Sequence, residues 1–275
     1  MKTTFILLFS LAIVLQSLAQ SKFDKQTKPI VEEGKSLYRS EMASWYGTDL
    51  FVSKFKETSR IGGYLSYAEN DSTKCVFFSK DDLPKVIGTI TFDTTYHTNT
   101  AKVDLSERQF KMVENELYTI RRAALETMKR DTIFKHYKNC NLNLIPIITN
   151  GEKKVYILTG PQQNGVVIFG NDYLLNFDGQ NKLTSTKRLH KNIIVFNTQE
   201  KEADGKEVTA TTHSHLPETG DFMIATDICT LMLYERFTTW QQHTVYSGKY
   251  FSIWNCKTNQ LFVMTKEAIQ RIIKD

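Results

Sequence analysis

Residues 208–234 read VTATTHSHLPETGDFMIATDICTLMLY, and three kinds of chain follow one another in them. The first six residues are rich in β-branched side chains and predict a strand that ends in the pair His213 and His215. Pro217 and Gly220 mark a loop. Ile228, Leu231, Met232, Tyr234 and Phe237 then recur at helical spacing, which predicts a helix over 226–238. A strand, a loop and a helix in this order, with strands on either side, point to an α+β fold.

Working outward, the second half is mostly β. LNLIPIIT (142–149) and KKVYILTG (153–160) read as strands around the turn Asn150-Gly151. GVVIFG onward gives two or three more, with a tight turn at Asp178-Gly179. Short strands HTVYSG, YFSIWN and QLFVM follow the histidine helix, and TKEAIQRIIK closes the chain as a helix. The strongest helical pattern lies over 106–129. Phe110, Val113, Leu117, Ile120, Ala124 and Met128 form one apolar face there, and Ser106 with Gln109 suggests a capping box.

Upstream, IGGYLSYAE and KCVFFSK flank the turn signal NDST and predict a hairpin. KVIGTITFDTT gives a third strand, and a short helix over about 34–47 would end at Gly47. Residues 20–35 are polar and read as loose. The expected architecture is a small N-terminal β meander with a helix, then a mixed sheet packed by helices. The expected division is 1–19, 20–100 and 101–275.

Residues 1–19 read as a secretory signal peptide. Lys2 supplies the positive start, Phe5–Leu15 the apolar run, and Ser17-Leu18-Ala19 a cleavage site after Ala19. The run is shorter than the roughly 20 apolar residues a membrane-spanning helix needs, and no later segment is longer. The expected product is secreted or periplasmic, with no membrane span after cleavage. About 255 residues remain, enough for a sizeable core. They carry 34 basic against 30 acidic residues, interspersed and without a basic block, which argues against nucleic acid as a partner.

Cys75, Cys140, Cys229 and Cys256 form no CxxC pair, so a four-cysteine zinc site is not indicated. Export permits disulfides, and three pairings are open. No G-x-S-x-G, H-E-x-x-H or P-loop lysine motif occurs.

The chemistry therefore concentrates on the histidines. Residues i and i+2 of a strand face the same side, so His213 and His215 can point two imidazoles at one place. Asp227 begins the next helix, where it is either a metal-ligating carboxylate or a helix cap. Asp221 is a competing carboxylate. His190, in KRLHKN, is a further ligand, a substrate contact or a surface residue. His97, His136 and His243 have no companion pattern and read as structural. Tyr246, Tyr250, Phe251 and Trp254 either line a groove for a peptide or glycan or pack across strands.

The stretch HSHLPETGDFMIATD (213–227) resembles the H-x-H-P-x(n)-S-x-x-D signature of the JAB/MPN (JAMM) metalloproteases. The resemblance implies that His213, His215 and Asp227 bind zinc. It also implies a JAB/MPN-like, cytidine-deaminase-like layering, and hydrolysis of a peptide or isopeptide bond by metal-activated water. A general-base glutamate some sixty residues upstream belongs to the pattern, and Glu152, 61 residues before His213, matches that position. Leu216 stands where the family has proline, and Ile224 where it has serine. The alternative on the same fold is a non-catalytic module that binds a peptide, protein or glycan at the cell envelope.

Overall fold

The computed structural model describes residues 2–198, 201 and 204–274, and the side chains of 23–198, 201 and 204–271. It is a mixed α/β structure, compatible with α+β, with four α-helices and several sheets among the described residues. The chain divides into two compact units. One comprises residues 35–198, the other residues 1–34 with 199–275.

The division does not fall at residue 100, and the hydrophobic core shows why. In the 35–198 unit, Leu65, Val76, Phe78 and Val86 pack in one cluster with Leu117, Ile120, Ala124, Val155, Ile157, Tyr173 and Leu175. Residues from both sides of position 100 thus bury one another's apolar surface.

Helix α1 spans Lys2–Lys54 and contributes residues to both units. It takes in the polar segment 20–35, which is helical rather than loose, and passes through Pro29 and Gly47. Gly47 is therefore no helix stop. A Cβ there would lie 2.8 Å from Cys75 Cβ, so glycine lets the helix lie close against strand β2 (Ser72–Ser79). One turn later Phe51 stacks on Phe77 of the same strand, with ring centroids 4.0 Å apart. The expected leader, residues 1–19, lies outside the residues whose side chains are described. Among the described residues no helix is long and apolar enough to cross a membrane.

The N-terminal sheet has the expected hairpin. Strand β1 (Ile61–Glu69) pairs antiparallel with β2, and Asn70 at the turn adopts φ +55°. Asparagine tolerates that left-handed conformation, as hairpin turns require. Strands β3 (Val86–Phe92) and β4 (Lys102–Asp104) extend the sheet in order. A second antiparallel sheet has the order β5 (Cys140–Thr149), β6 (Glu152–Pro161), β8 (Tyr173–Phe177), β9 (Leu183–Arg188). Strands β7 (Val166–Gly170) and β10 (Ile193–Asn197) form a separate pair.

Helix α2 spans Met112–Arg130 and buries Leu117, Ile120 and Ala124 as its periodicity predicts. It starts six residues later than expected. The Ser106 N–H donates to Asp104 Oδ1 instead, in a turn after β4. The helix is capped by Glu114, whose carboxylate accepts the Lys111 backbone N–H at 2.8 Å. This carboxylate is fully buried. It also accepts two hydrogen bonds from Arg108, at 2.6 and 2.8 Å, and one from Tyr67 Oη at 2.9 Å. Burial alone would raise its pKa, but these donors outweigh it and hold the group ionised below the usual carboxylate range.

The other unit is built on a four-stranded sheet of order β11 (Ala210–Ser214), β12 (Gln242–Tyr246), β13 (Tyr250–Asn255), β14 (Gln260–Thr265). Strands β11 and β12 are parallel, so the connection between them must cross over. Helix α3 (Ala225–Tyr234) does so, with a 3-10 turn after it at Glu235–Phe237. Helix α4 (Lys266–Lys274) ends the chain. Met223, Ile228, Leu231, Val245 and Trp254 are buried here. Gly34 of α1 packs on Ile228, where a Cβ would lie 2.7 Å from Ile228 Cβ.

The four cysteines form no disulfide. Cys75, Cys229 and Cys256 are buried. Burial pushes the Cys75 and Cys256 thiols up to about 12, so both stay protonated at neutral pH.

Two stability predictions follow from buried charge. Arg108→Met strands the Glu114 carboxylate, and the midpoint of urea unfolding should report a loss of about 3 kcal/mol, the lower end for a broken buried pair because Arg108 is partly exposed. On α1, burial pushes the Glu41 carboxyl up to about 7, against a weak hydrogen bond from Asn143 and the charge of Arg121. A carboxyl raised in the folded state favours folding while it is protonated, and that contribution is lost as pH rises through about 7. Stability should therefore fall between pH 5 and 8, and Glu41→Gln should flatten the slope.

Candidate metal centre

The two histidines owe their common direction to the pairing of β11 with β12. His213 lies opposite Val245, and the ladder continues past the strand's end, where the His215 N–H donates to the Tyr246 carbonyl at 2.9 Å. The period-two alternation thus holds through residue 215. His213 and His215 are buried, and Ser214 between them is exposed. Their ring centroids lie 5.1 Å apart.

The loop 216–224 brings the chain back to the start of α3. Gly220, at φ +122°, takes a conformation that side chains resist, and the Met223 N–H donates to Ser252 Oγ at 3.1 Å. Asp227 then sits in the first helical turn. Its Oδ2 accepts the Ile224 backbone N–H at 3.0 Å, which is a helix cap. The same oxygen lies 3.1 Å from His215 Nε2, and Oδ1 lies 3.7 Å from His213 Nε2. Asp227 therefore caps the helix and faces both imidazoles.

The arrangement fits a metal. One donor atom each from His213, His215 and Asp227 falls within 4.8 Å of the others. Two ligands about 2.0–2.1 Å from a tetrahedral zinc are separated by about 3.3 Å; His215 Nε2 lies 3.1 Å from one carboxylate oxygen of Asp227, and His213 Nε2 lies 3.7 Å from the other. The tautomer of His215 agrees. Its Nδ1 lies 3.1 Å from the Phe222 carbonyl oxygen, which can only accept, so Nδ1 carries the proton. Nε2 then directs a lone pair at a carboxylate oxygen, and a cation or a second proton is needed between them. Two imidazoles and a carboxylate are a borderline-soft donor set of the kind zinc takes.

His243, read from sequence as structural, contacts the centre. Its Nε2 lies 2.8 Å from His213 Nδ1, and its Nδ1 lies 2.7 Å from Thr211 Oγ1. Trp240 stacks beside it at 6.0 Å. Burial first, then the neighbouring His213, push its imidazole down to about 3, so the ring is neutral. No local pattern signals His243. It reaches His213 only through the parallel register of two strands joined by a crossover.

Asp221 and Glu152, the other two carboxylates singled out by sequence, are each paired with a lysine. Asp221 does not compete for the cluster. It is paired with Lys249 at 3.0 Å in the same unit. Glu152 belongs to the other unit, where it is exposed at the β5–β6 turn and paired with Lys154 at 2.8 Å. That pairing lowers its pKa, the opposite of the upward tuning that base work at neutral pH calls for. His190, also of the 35–198 unit, is buried rather than at the surface, with Nδ1 3.3 Å from Asp172 Oδ2. His97 and His136 are exposed.

The aromatic run takes the packing alternative. Trp254 is fully buried, and Tyr250 sits against Phe23 and Phe222, with centroids 5.3 and 5.0 Å away. Tyr246 alone of the four is exposed. Compared with family models, curated proteins and solved structures, the chain finds no match in any of the three.

Proposed function

We propose that the chain is an exported zinc protein in which His213, His215 and Asp227 hold the metal, and that its centre hydrolyses a peptide or isopeptide bond. The observation that carries the metal is the convergence of three buried donors from a strand end and a helix start, at separations suited to one ion. Catalytic zinc commonly takes three protein ligands and a water, and His213, His215 and Asp227 supply three donors of the right kind. When bound, zinc would act as a Lewis acid that makes water nucleophilic near neutral pH. The protein's own part is orientation: the Phe222 carbonyl fixes the His215 ring, and the Ile224 N–H fixes the Asp227 carboxylate. The peptide or isopeptide class comes from the JAB/MPN resemblance, and export from the leader-like residues 1–19.

A second reading keeps the metal and drops the turnover. Two observations favour it. Ile224 supplies no hydroxyl where the resembling family has a serine donor, and Glu152 is an exposed, ion-paired carboxylate. On this reading the centre stiffens an envelope protein that binds a peptide, protein or glycan.

Metal analysis of the purified chain separates the metal readings from none. The expected result is close to one zinc per chain, lost in His213→Ala and in His215→Ala while the far-ultraviolet circular dichroism is kept. Chelation should lower Tm by about 5–10 °C, the effect of removing a ligand present at about a hundred times its Kd. A folded wild-type chain that holds no zinc and takes up none would overturn both readings. Chelator-sensitive cleavage of peptide or isopeptide substrates, lost in His215→Ala, would select the first. Zinc without cleavage would select the second.

A further inference from the structure

Resting on the reading that His213 is a metal ligand, we infer that His243 and Thr211 form its outer shell, and that this hydrogen-bonded chain reverses direction when the centre is loaded. Thr211 Oγ1, His243 and His213 are linked by contacts of 2.7 and 2.8 Å. Each contact needs one proton, and a neutral imidazole has one N–H to give. Only two arrangements therefore satisfy both contacts.

In the first, the Thr211 hydroxyl donates to His243 Nδ1, and His243 Nε2–H donates to His213 Nδ1. His213 then carries its proton on Nε2, on the side of Asp227. In the second, His213 Nδ1–H donates to His243 Nε2, and His243 Nδ1–H donates to Thr211. Only the second leaves the Nε2 lone pair of His213 available to a cation. Passing from the first to the second, one proton leaves at His213 Nε2 and one enters at Thr211, so the chain stays neutral.

His243 is 0 % exposed, so water cannot substitute for either partner. The ring must follow its neighbours, and a charged ring is too costly at such a site. The register that enforces this is the parallel pairing itself, which sets Thr211 directly opposite His243. His243 is thus a positioning residue. It acts on the metal through His213, as outer-shell groups do when they fix a ligand's tautomer. Thr211 is partly exposed, so its hydroxyl can exchange protons at the outer end of the chain.

The experiment uses the full chain with and without zinc. Nitrogen-15 spectra of the imidazoles identify which nitrogen of His243 bears the proton. In the loaded protein it should be Nδ1, with His213 protonated at Nδ1 as well. Zinc affinity, read by competition with a chromophoric chelator, should fall about tenfold in Thr211→Val, which leaves His243 Nδ1–H without an acceptor, and recover to within about twofold in Thr211→Ser. A role confined to packing would leave the His243 tautomer the same with and without zinc. A loaded protein that keeps His243 Nε2–H, or a Thr211→Val chain that binds zinc as tightly as wild type, would overturn the inference while leaving the metal intact. A wild-type chain that takes no zinc would remove the metal reading and the inference together.

Discussion

The Asp227 carboxylate is fixed by the start of α3, and the histidine cluster is arranged around it. A buried carboxylate is costly unless donors surround it. Here the Ile224 N–H supplies one at 3.0 Å, so the group is oriented by the helix that carries it. The helix in turn is the crossover that lets β11 and β12 run parallel. The same connection that makes the sheet possible therefore returns a carboxylate to the end of the strand bearing the histidines. Cap, crossover and donor set are one piece of construction, and none can move without the others.

The 35–198 unit applies the same rule to a different end. Glu114 caps α2 with one oxygen and collects Arg108 and Tyr67 around the carboxylate. There every donor comes from the protein, so the group is closed and its charge is held low in energy. Around Asp227 the neighbours are imidazoles, whose nitrogens accept as readily as they donate. Glu114 satisfies itself. Asp227 with His213 and His215 belongs to a group that could hold a cation.

What could be read from the sequence was local. The period-two spacing of His213 and His215 and the return of Asp227 at a helix start lie within fifteen residues, and the structure brings those three together. The apolar face of α2 was equally legible from its three- and four-residue steps. The failures needed information from elsewhere in the chain. Gly47 looked like a helix stop, but its reason is the close approach of Cys75. Ser106 looked like a cap, but Asp104 holds its N–H in a turn. The boundary near residue 100 ignored a core assembled from both sides of it. His243 was passed over because strand register is fixed by long-range pairing, which leaves no trace in spacing. Glu152 shows the converse: a matching separation along the chain says nothing of the surroundings, and Lys154 supplies those.

The distinction between binding a metal and using it rests on groups outside the three donors. Orientation is well provided for. Phe222 fixes one ring, Asp227 is pinned by its own helix, and His213 is in contact with His243. Preorganisation of this kind lowers the cost of taking up an ion, because the rings and the carboxylate already stand in place. Hydrolysis asks for two things more: a base within hydrogen-bond reach of the attacking water, and a donor aimed at the developing oxyanion. At position 224 the side chain is a hydrocarbon, and the backbone N–H there is already given to Asp227. The atom that pins the carboxylate is thus one that cannot also steady an oxyanion. At this position the backbone N–H is committed to holding the carboxylate in place.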